Sequence, residues 1–170
     1  MGIVVSSTDF VNEFQLSQNP KFVPLIDDVI ANNERRLILE LFGATMGAEI
    51  ITEINADSVQ AKYQVLIDAI ELDIDNCGKI ILSEGLAVYL KCKIRFLVIR
   101  EAAVKNMPIG ALTTVGENAT TISPVTEQSR MWTRAADTGY NIHQYIHYNP
   151  EGYDYSTFNG ENQRETVFTW

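Results

Sequence analysis

The chain has 170 residues, 46% of them hydrophobic, and a formal net charge of −9. This length and hydrophobicity suffice for one domain with a substantial core. The acidic balance argues against a domain whose main task is to grip nucleic acid, because that grip requires clustered Lys and Arg. No apolar run is long enough to span a membrane and no signal peptide is recognisable, so we expect a soluble protein of intracellular origin.

Helical spacing of apolar residues predicts four helices in the first half of the chain. They span residues 7–14, 25–42, 45–54 and 58–74, and Gly43 is placed to end the second one. The last of the four carries acids on its polar face. The pattern stops at residues 76–78.

Residues 80–106 form the most apolar segment, which predicts a long central helix buried on most sides. Met107-Pro108 ends it, and the Thr-, Gly- and Asn-rich stretch that follows favours an extended arm or loose hairpin over residues 107–123. Ser123-Pro124 begins a final helix that reaches Tyr148. The predicted fold is therefore mostly α: a bundle of about five helices, with the arm between the last two and an extended C-terminal tail.

Charge is distributed unevenly along this fold. Residues 49–75 hold seven acids against one lysine, whereas residues 91–105 hold five bases against one acid. Separated signs would suit ordered contact with other copies or with neighbouring proteins. Two ordinary solvated helix faces would produce the same pattern.

The stretch DIDNCGKIILSE, residues 73–84, resembles the calcium loop of an EF-hand. The positions for acid ligands and for the turn glycine are occupied by Asp73, Asp75, Gly78 and Glu84. Two other ligand positions carry Cys77 and Ile81, which suit calcium poorly. We therefore favour a metal-free helix–turn–helix corner here, and we expect no bound cofactor.

Other candidate chemistry is sparse. His143 and His147 are four residues apart on the last predicted helix, a spacing that lets two imidazoles share zinc, but no third ligand is evident. The two cysteines, Cys77 and Cys92, make no disulfide framework and lie in or beside apolar sequence. Enzyme motifs are absent, so we expect no catalytic residues and a function in protein interaction.

Four segments together resemble a known family. They are ERRLILELFGATMGAEI (34–50), SEGLAVYLKCKIRFLVIREA (83–102), LTTVGENATTISP (112–124) and the final YNIHQYIHYNPEGY (140–153). In their order along the chain and in their residue types, they resemble head-tail connector proteins of tailed bacteriophages, most closely the ring proteins of crAss-like phages. The resemblance covers roughly residues 25–153.

The resemblance implies a non-enzymatic virion protein, made in the host bacterial cytoplasm, whose helical connector domain covers residues 1–150 and whose tail covers 151–170. Such subunits form rings of about twelve copies. The ring would contact the portal protein and neighbouring ring or tail proteins. It would surround viral DNA that passes without specific binding, and an acidic lumen would let that DNA slide.

The resemblance also indicates where contacts would lie. The arm residues expected at an interface are Thr113, Thr114, Val115, Asn118, Thr120 and Thr121. The tail residues expected to fill pockets on a neighbour are Tyr153, Tyr155, Phe158, Phe168 and Trp170, since aromatic side chains carry much of the energy of interfaces. The alternative function is a small helical regulatory domain that binds a partner through calcium or another metal at residues 73–84.

Overall fold

The computed structural model describes residues 2–56, 59–74, 79–104, 124–149, 152, 153 and 160. Two short 3-10 helices, Ser7–Asp9 and Asn12–Phe14, precede the first α-helix. The further elements are α1 (Val23–Phe42), α2 (Ala44–Ile54), α3 (Ala61–Ile67), β1 (Ile70–Ile74), β2 (Lys79–Ser83), α4 (Gly85–Val104) and α5 (Pro124–Tyr148). The prediction of a mostly α fold with five helices is confirmed.

The first two α-helices follow the sequence pattern closely. Pro24 lies in the first turn of α1, where its missing N–H is not needed. Gly43 adopts a φ of 83° between α1 and α2, and its N–H donates to the carbonyl of Leu39 at 2.8 Å. A residue with a Cβ is strained at that φ, so glycine fits the sharp junction between the two helices.

The predicted helix over residues 58–74 is wrong in its second half. The helix α3 ends at Ile67, and residues from Ile70 onward form β1, which pairs antiparallel with β2. The predicted helix–turn–helix corner is therefore a β-hairpin. Gly85, at a φ of 83°, makes this arrangement possible, because a Cβ there would lie 2.0 Å from the carbonyl oxygen of Asp68.

The hairpin has one face toward the core and one toward solvent. Ile70 and Ile81 are buried, whereas the opposite face exposes Ile80 and Leu82 beside two acids of β1. The alternation follows the period-two geometry of strands. The inner face packs against α5, where the Ser83 hydroxyl donates to the carbonyl of Thr138 at 3.0 Å.

Helix α4 is the centre of the domain, as predicted, although it begins at Gly85 and not at residue 80. The five successive residues from Cys92 to Phe96 are all buried, so the middle of the helix is enclosed around its whole circumference. Helix α5 runs antiparallel to α4 and covers one side. Helices α1 and α3 cover others.

The N-terminal segment is fixed to α1 by one buried carboxylate. Glu34, only 2% exposed, accepts hydrogen bonds from the backbone N–H groups of Ile3, Val4 and Val5 at 2.5, 2.7 and 2.9 Å. Three charge-assisted bonds satisfy an ion that would otherwise be costly to bury. This contact joins parts of the chain about thirty residues apart and seals the adjacent core.

We predict that Glu34→Gln lowers the free energy of unfolding by about 1–3 kcal/mol, because an amide offers one acceptor oxygen where the carboxylate offers two. Urea denaturation measures the change, with Glu49→Gln on the exposed face of α2 as the matched control. Hydrogen exchange at residues 3–5 should accelerate in the first variant only. Equal stability of the two variants would contradict the role assigned to Glu34.

Candidate interaction surface

Most residues expected at interfaces lie outside the described part of the chain. This holds for the arm residues Thr113, Thr114, Val115, Asn118, Thr120 and Thr121 and for the tail residues Tyr155, Phe158, Phe168 and Trp170. The described elements do fix where these segments leave the domain. The arm lies between the end of α4 and the start of α5, and the tail follows the opposite end of α5.

Tyr153 is the tail residue that the structure places, and it packs within its own chain. Its side chain is 6% exposed, its hydroxyl donates to the carbonyl of Lys62 at 2.7 Å, and its ring meets Tyr145 edge-on with centroids 6.1 Å apart. Burial raises the pKa of this phenol above its usual range. The aromatic side chain of Tyr153 therefore packs inside its own domain. It is not exposed for contact with a neighbour, contrary to the expectation for this residue.

Residues of the candidate calcium loop lie on both strands of the hairpin. Asp73 lies exposed on β1 opposite Ile80, and Asp75 lies outside the described residues. Glu84 is held by Arg134, whose Nε and Nη2 donate to the two carboxylate oxygens at 2.6 and 2.5 Å. An EF-hand requires a helix on each side of its loop. The strands β1 and β2 occupy those places here, so this stretch lacks the flanking helices of an EF-hand.

Arg134 is the centre of a hydrogen-bond network that the sequence analysis missed. Besides Glu84 it binds both oxygens of Glu13, at 2.7 and 3.0 Å, and its guanidinium lies 5.0 Å from the ring centre of Phe14. The hydrogen bond from Arg134 lowers the pKa of Glu13. The network ties the N-terminal segment to the start of α4 and to α5, and its partners are 50 and 121 residues from Arg134.

The basic run on α4 is not an exposed stripe. Lys93 and Arg95 are each 5% exposed and face α5. The Lys93 ammonium lies 3.4 Å from the ring centre of Trp132, a cation–π contact, and Arg95 pairs with Glu127 at 3.2 Å. Burial lowers the pKa of Arg95. Two of the five bases in residues 91–105 are therefore buried and serve packing within the domain, whereas Arg100 is exposed.

The acidic part of the charge pattern does reach the surface. Among the described acids of residues 49–75, Glu49, Asp68, Glu71 and Asp73 are exposed and Glu53 is partly exposed. They come from α2, from the end of α3 and from β1. These elements present negative charge to solvent, without basic partners of comparable number.

The two histidines of α5 occupy different environments. The Nε2 of His143 donates to the carbonyl of Leu41 at 2.6 Å, and burial lowers the pKa of this imidazole. His147 is exposed and stacks edge-on against Tyr148. In the described ranges, no three His, Cys, Asp or Glu side chains converge in a way that could hold a metal ion.

Cys92 is also structural in character. It is fully buried beside Met131, with the two sulfurs 4.0 Å apart, and burial raises the pKa of its thiol to about 12. A thiol of this kind is not a ready nucleophile, since the thiolate is the reactive form. Cys77 lies outside the described residues.

Comparison with known proteins adds no relative. No protein-family model, no curated protein and no solved structure matches the chain. Within the part of the chain that the structure describes, none of the helices is both long and apolar enough to cross a membrane.

We predict that the free energy of unfolding falls as the pH drops below about 6.5, the unfolded pKa of histidine. The folded pKa of His143 is lowered, so the unfolded chain takes up this proton first and the loss ends once the pH passes the folded value. Urea denaturation from pH 8 to about pH 5 measures the slope.

The matched pair for this measurement lies on one helix. His143→Gln should flatten the slope, and His147→Gln, one turn further and exposed, should retain it. A slope that persists in the His143 variant would assign the pH dependence to another group.

Proposed function

We propose that this chain is a structural virion protein, a subunit of the oligomeric ring in a bacteriophage head-tail connector that joins capsid to tail below the portal protein. The proposal rests first on the resemblance of its segments to connector ring proteins. Its function is then assembly, with viral DNA passing through the ring.

The observation that carries the proposal is the position of the described residues that border the arm and the tail. In the sequence the arm precedes the start of α5, and the tail follows its end. Helix α5 has 25 residues, so these points are about 37 Å apart along its axis. Contact segments at opposite ends of a subunit suit head-to-tail contacts, which close into rings when the rotation between subunits allows.

The exposed charge supports the same role. Acids on α2, directly after α3 and on β1 reach solvent, whereas the bases Lys93 and Arg95 are buried. A surface with excess negative charge repels phosphates, so it could line a channel without holding DNA. We assign the helix Ala44–Ile54, which carries Glu49 and Glu53, to the lumen.

We predict that the full chain forms closed rings, visible by mass photometry and negative-stain microscopy. Removal of residues 154–170 should weaken ring stacking or joining to the portal and leave the melting temperature nearly unchanged. The cut is placed after Tyr153, because this residue packs against Lys62 and Tyr145 and belongs to the folded domain.

Two control variants sharpen this test. A cut after Pro150 removes Tyr153 as well and should lower the melting temperature, which separates loss of folding from loss of assembly. Exchange of residues 113–121 for a Gly-Ser linker of equal length should spare the fold and impair docking. A chain that stays monomeric with and without a portal protein, and whose melting shifts on calcium addition, would overturn the proposal in favour of the calcium-dependent alternative.

A further inference from the structure

The hydrogen bond from Asn141 shows which backbone N–H and C=O groups of the hairpin point away from the partner strand. The Asn141 Nδ2 donates to the carbonyl of Leu82 at 2.6 Å, so this carbonyl points toward α5 and away from β1. In an antiparallel pair, N–H and C=O of one residue point to the same side, and successive residues alternate. Glu71, opposite Leu82, therefore turns its own backbone groups away from β2.

The same alternation applies to Asp73, two residues further along β1. The backbone N–H and C=O groups of Glu71 and Asp73 form the outer edge of the sheet, which we call the β1 edge. No described residue outside the hairpin donates to or accepts from these groups. Both side chains are exposed. An edge of this kind is a template for pairing with another extended segment.

The arm of the same chain is too short to pair with this edge. The hairpin adjoins the start of α4, whereas the arm leaves from its end, and α4 has 20 residues, about 30 Å of helix. To reach the hairpin, residues 105–123 would have to span the distance from Val104 to the hairpin and the distance back to Pro124. Half of them, fully extended, cover only about 30 Å, so at best the tip would arrive at the hairpin.

We propose that the β1 edge receives the arm of a second copy, residues 111–123, as an added antiparallel or parallel strand. The inference deepens the ring function proposed above and rests on it. Donor and acceptor lie at opposite ends of α4, so each subunit gives its arm to one neighbour and accepts the arm of the other. Such a contact is head-to-tail and is suited to ring closure.

Charge and composition favour the arm over a second β1 as the occupant. Two β1 strands that paired symmetrically would bring Glu71 and Asp73 close to their own copies, and like charges opposite each other destabilise a strand pair. The arm segment ALTTVGENATTIS carries a single charge, at Glu117. Its Thr, Val and Ile residues are the types that favour strands.

The test compares two variants that both lack the Asp73 carboxylate, of which only one also lacks the outward N–H donor. Asp73→Pro eliminates an N–H that the hairpin itself does not use, and proline is tolerated on sheet edges. Asp73→Ala keeps the N–H and loses the same carboxylate, so it is the matched control. Far-UV circular dichroism and melting curves establish that both variants are folded.

A labelled synthetic peptide of residues 111–123 serves as the probe, titrated onto the full chain by fluorescence polarisation. We expect the proline variant to bind the peptide about tenfold more weakly and the alanine variant to remain within about twofold of the unchanged chain. Hydrogen exchange at Glu71 and Asp73 should slow on peptide binding. This titration gives a result whether or not rings form in isolation.

Several outcomes would overturn the inference. Equal peptide binding by the two variants, absence of peptide binding, or preferential binding of a peptide of residues 161–170 would each exclude the arm as the occupant. Ring formation that is unchanged in Asp73→Pro would leave the ring function standing and refute the β1 edge as its contact. Loss of rings in the proline variant alone supports the inference.

Discussion

The structure depends on one constraint, the burial of α4 on all sides. Five successive residues of this helix, from Cys92 to Phe96, are buried, so its middle has no side that faces water and other elements must surround it. Helix α5 supplies the longest cover, α1 and α3 supply others, and the N-terminal segment reaches the start of α4 through the Arg134 network. The positions of the other elements follow from the need to cover α4.

The enclosure of α4 also explains the contacts of its buried basic residues. Lys93 and Arg95 lie on a helix that is enclosed, so each needs a partner that replaces water. Trp132 offers the face of its ring to Lys93, and Glu127 offers a carboxylate to Arg95. Both partners belong to α5, so these two contacts add polar links to the apolar packing between the helices.

The helices could be predicted because their apolar residues recur at helical spacing over ten or more residues. The hairpin could not, because Leu66, Ile70 and Ile74 are four residues apart and fit a helix, whereas Ile70, Leu72 and Ile74 alternate with acids and fit a strand equally well. Packing against α5 and the close approach of Gly85 to the Asp68 carbonyl favour the strand over the helix for residues 70–74. The partners of Arg134 and Glu34 are distant in sequence, and a single sequence offers no local signal for them. Composition predicts the arm, whose residues lie outside the described part of the chain, whereas the incorrect helix prediction concealed the β1 edge.

Glu34 has a consequence for how this chain can diverge. Its carboxylate recognises only main-chain N–H groups, which every residue except proline provides. Ile3 and Val4 can therefore drift in identity without loss of these three bonds, limited only by their packing, whereas no exchange of side chains among them can compensate for loss of the acid. The sequence of residues 3–5 is therefore constrained by packing and by the exclusion of proline, whereas position 34 is constrained to an acceptor with two oxygens.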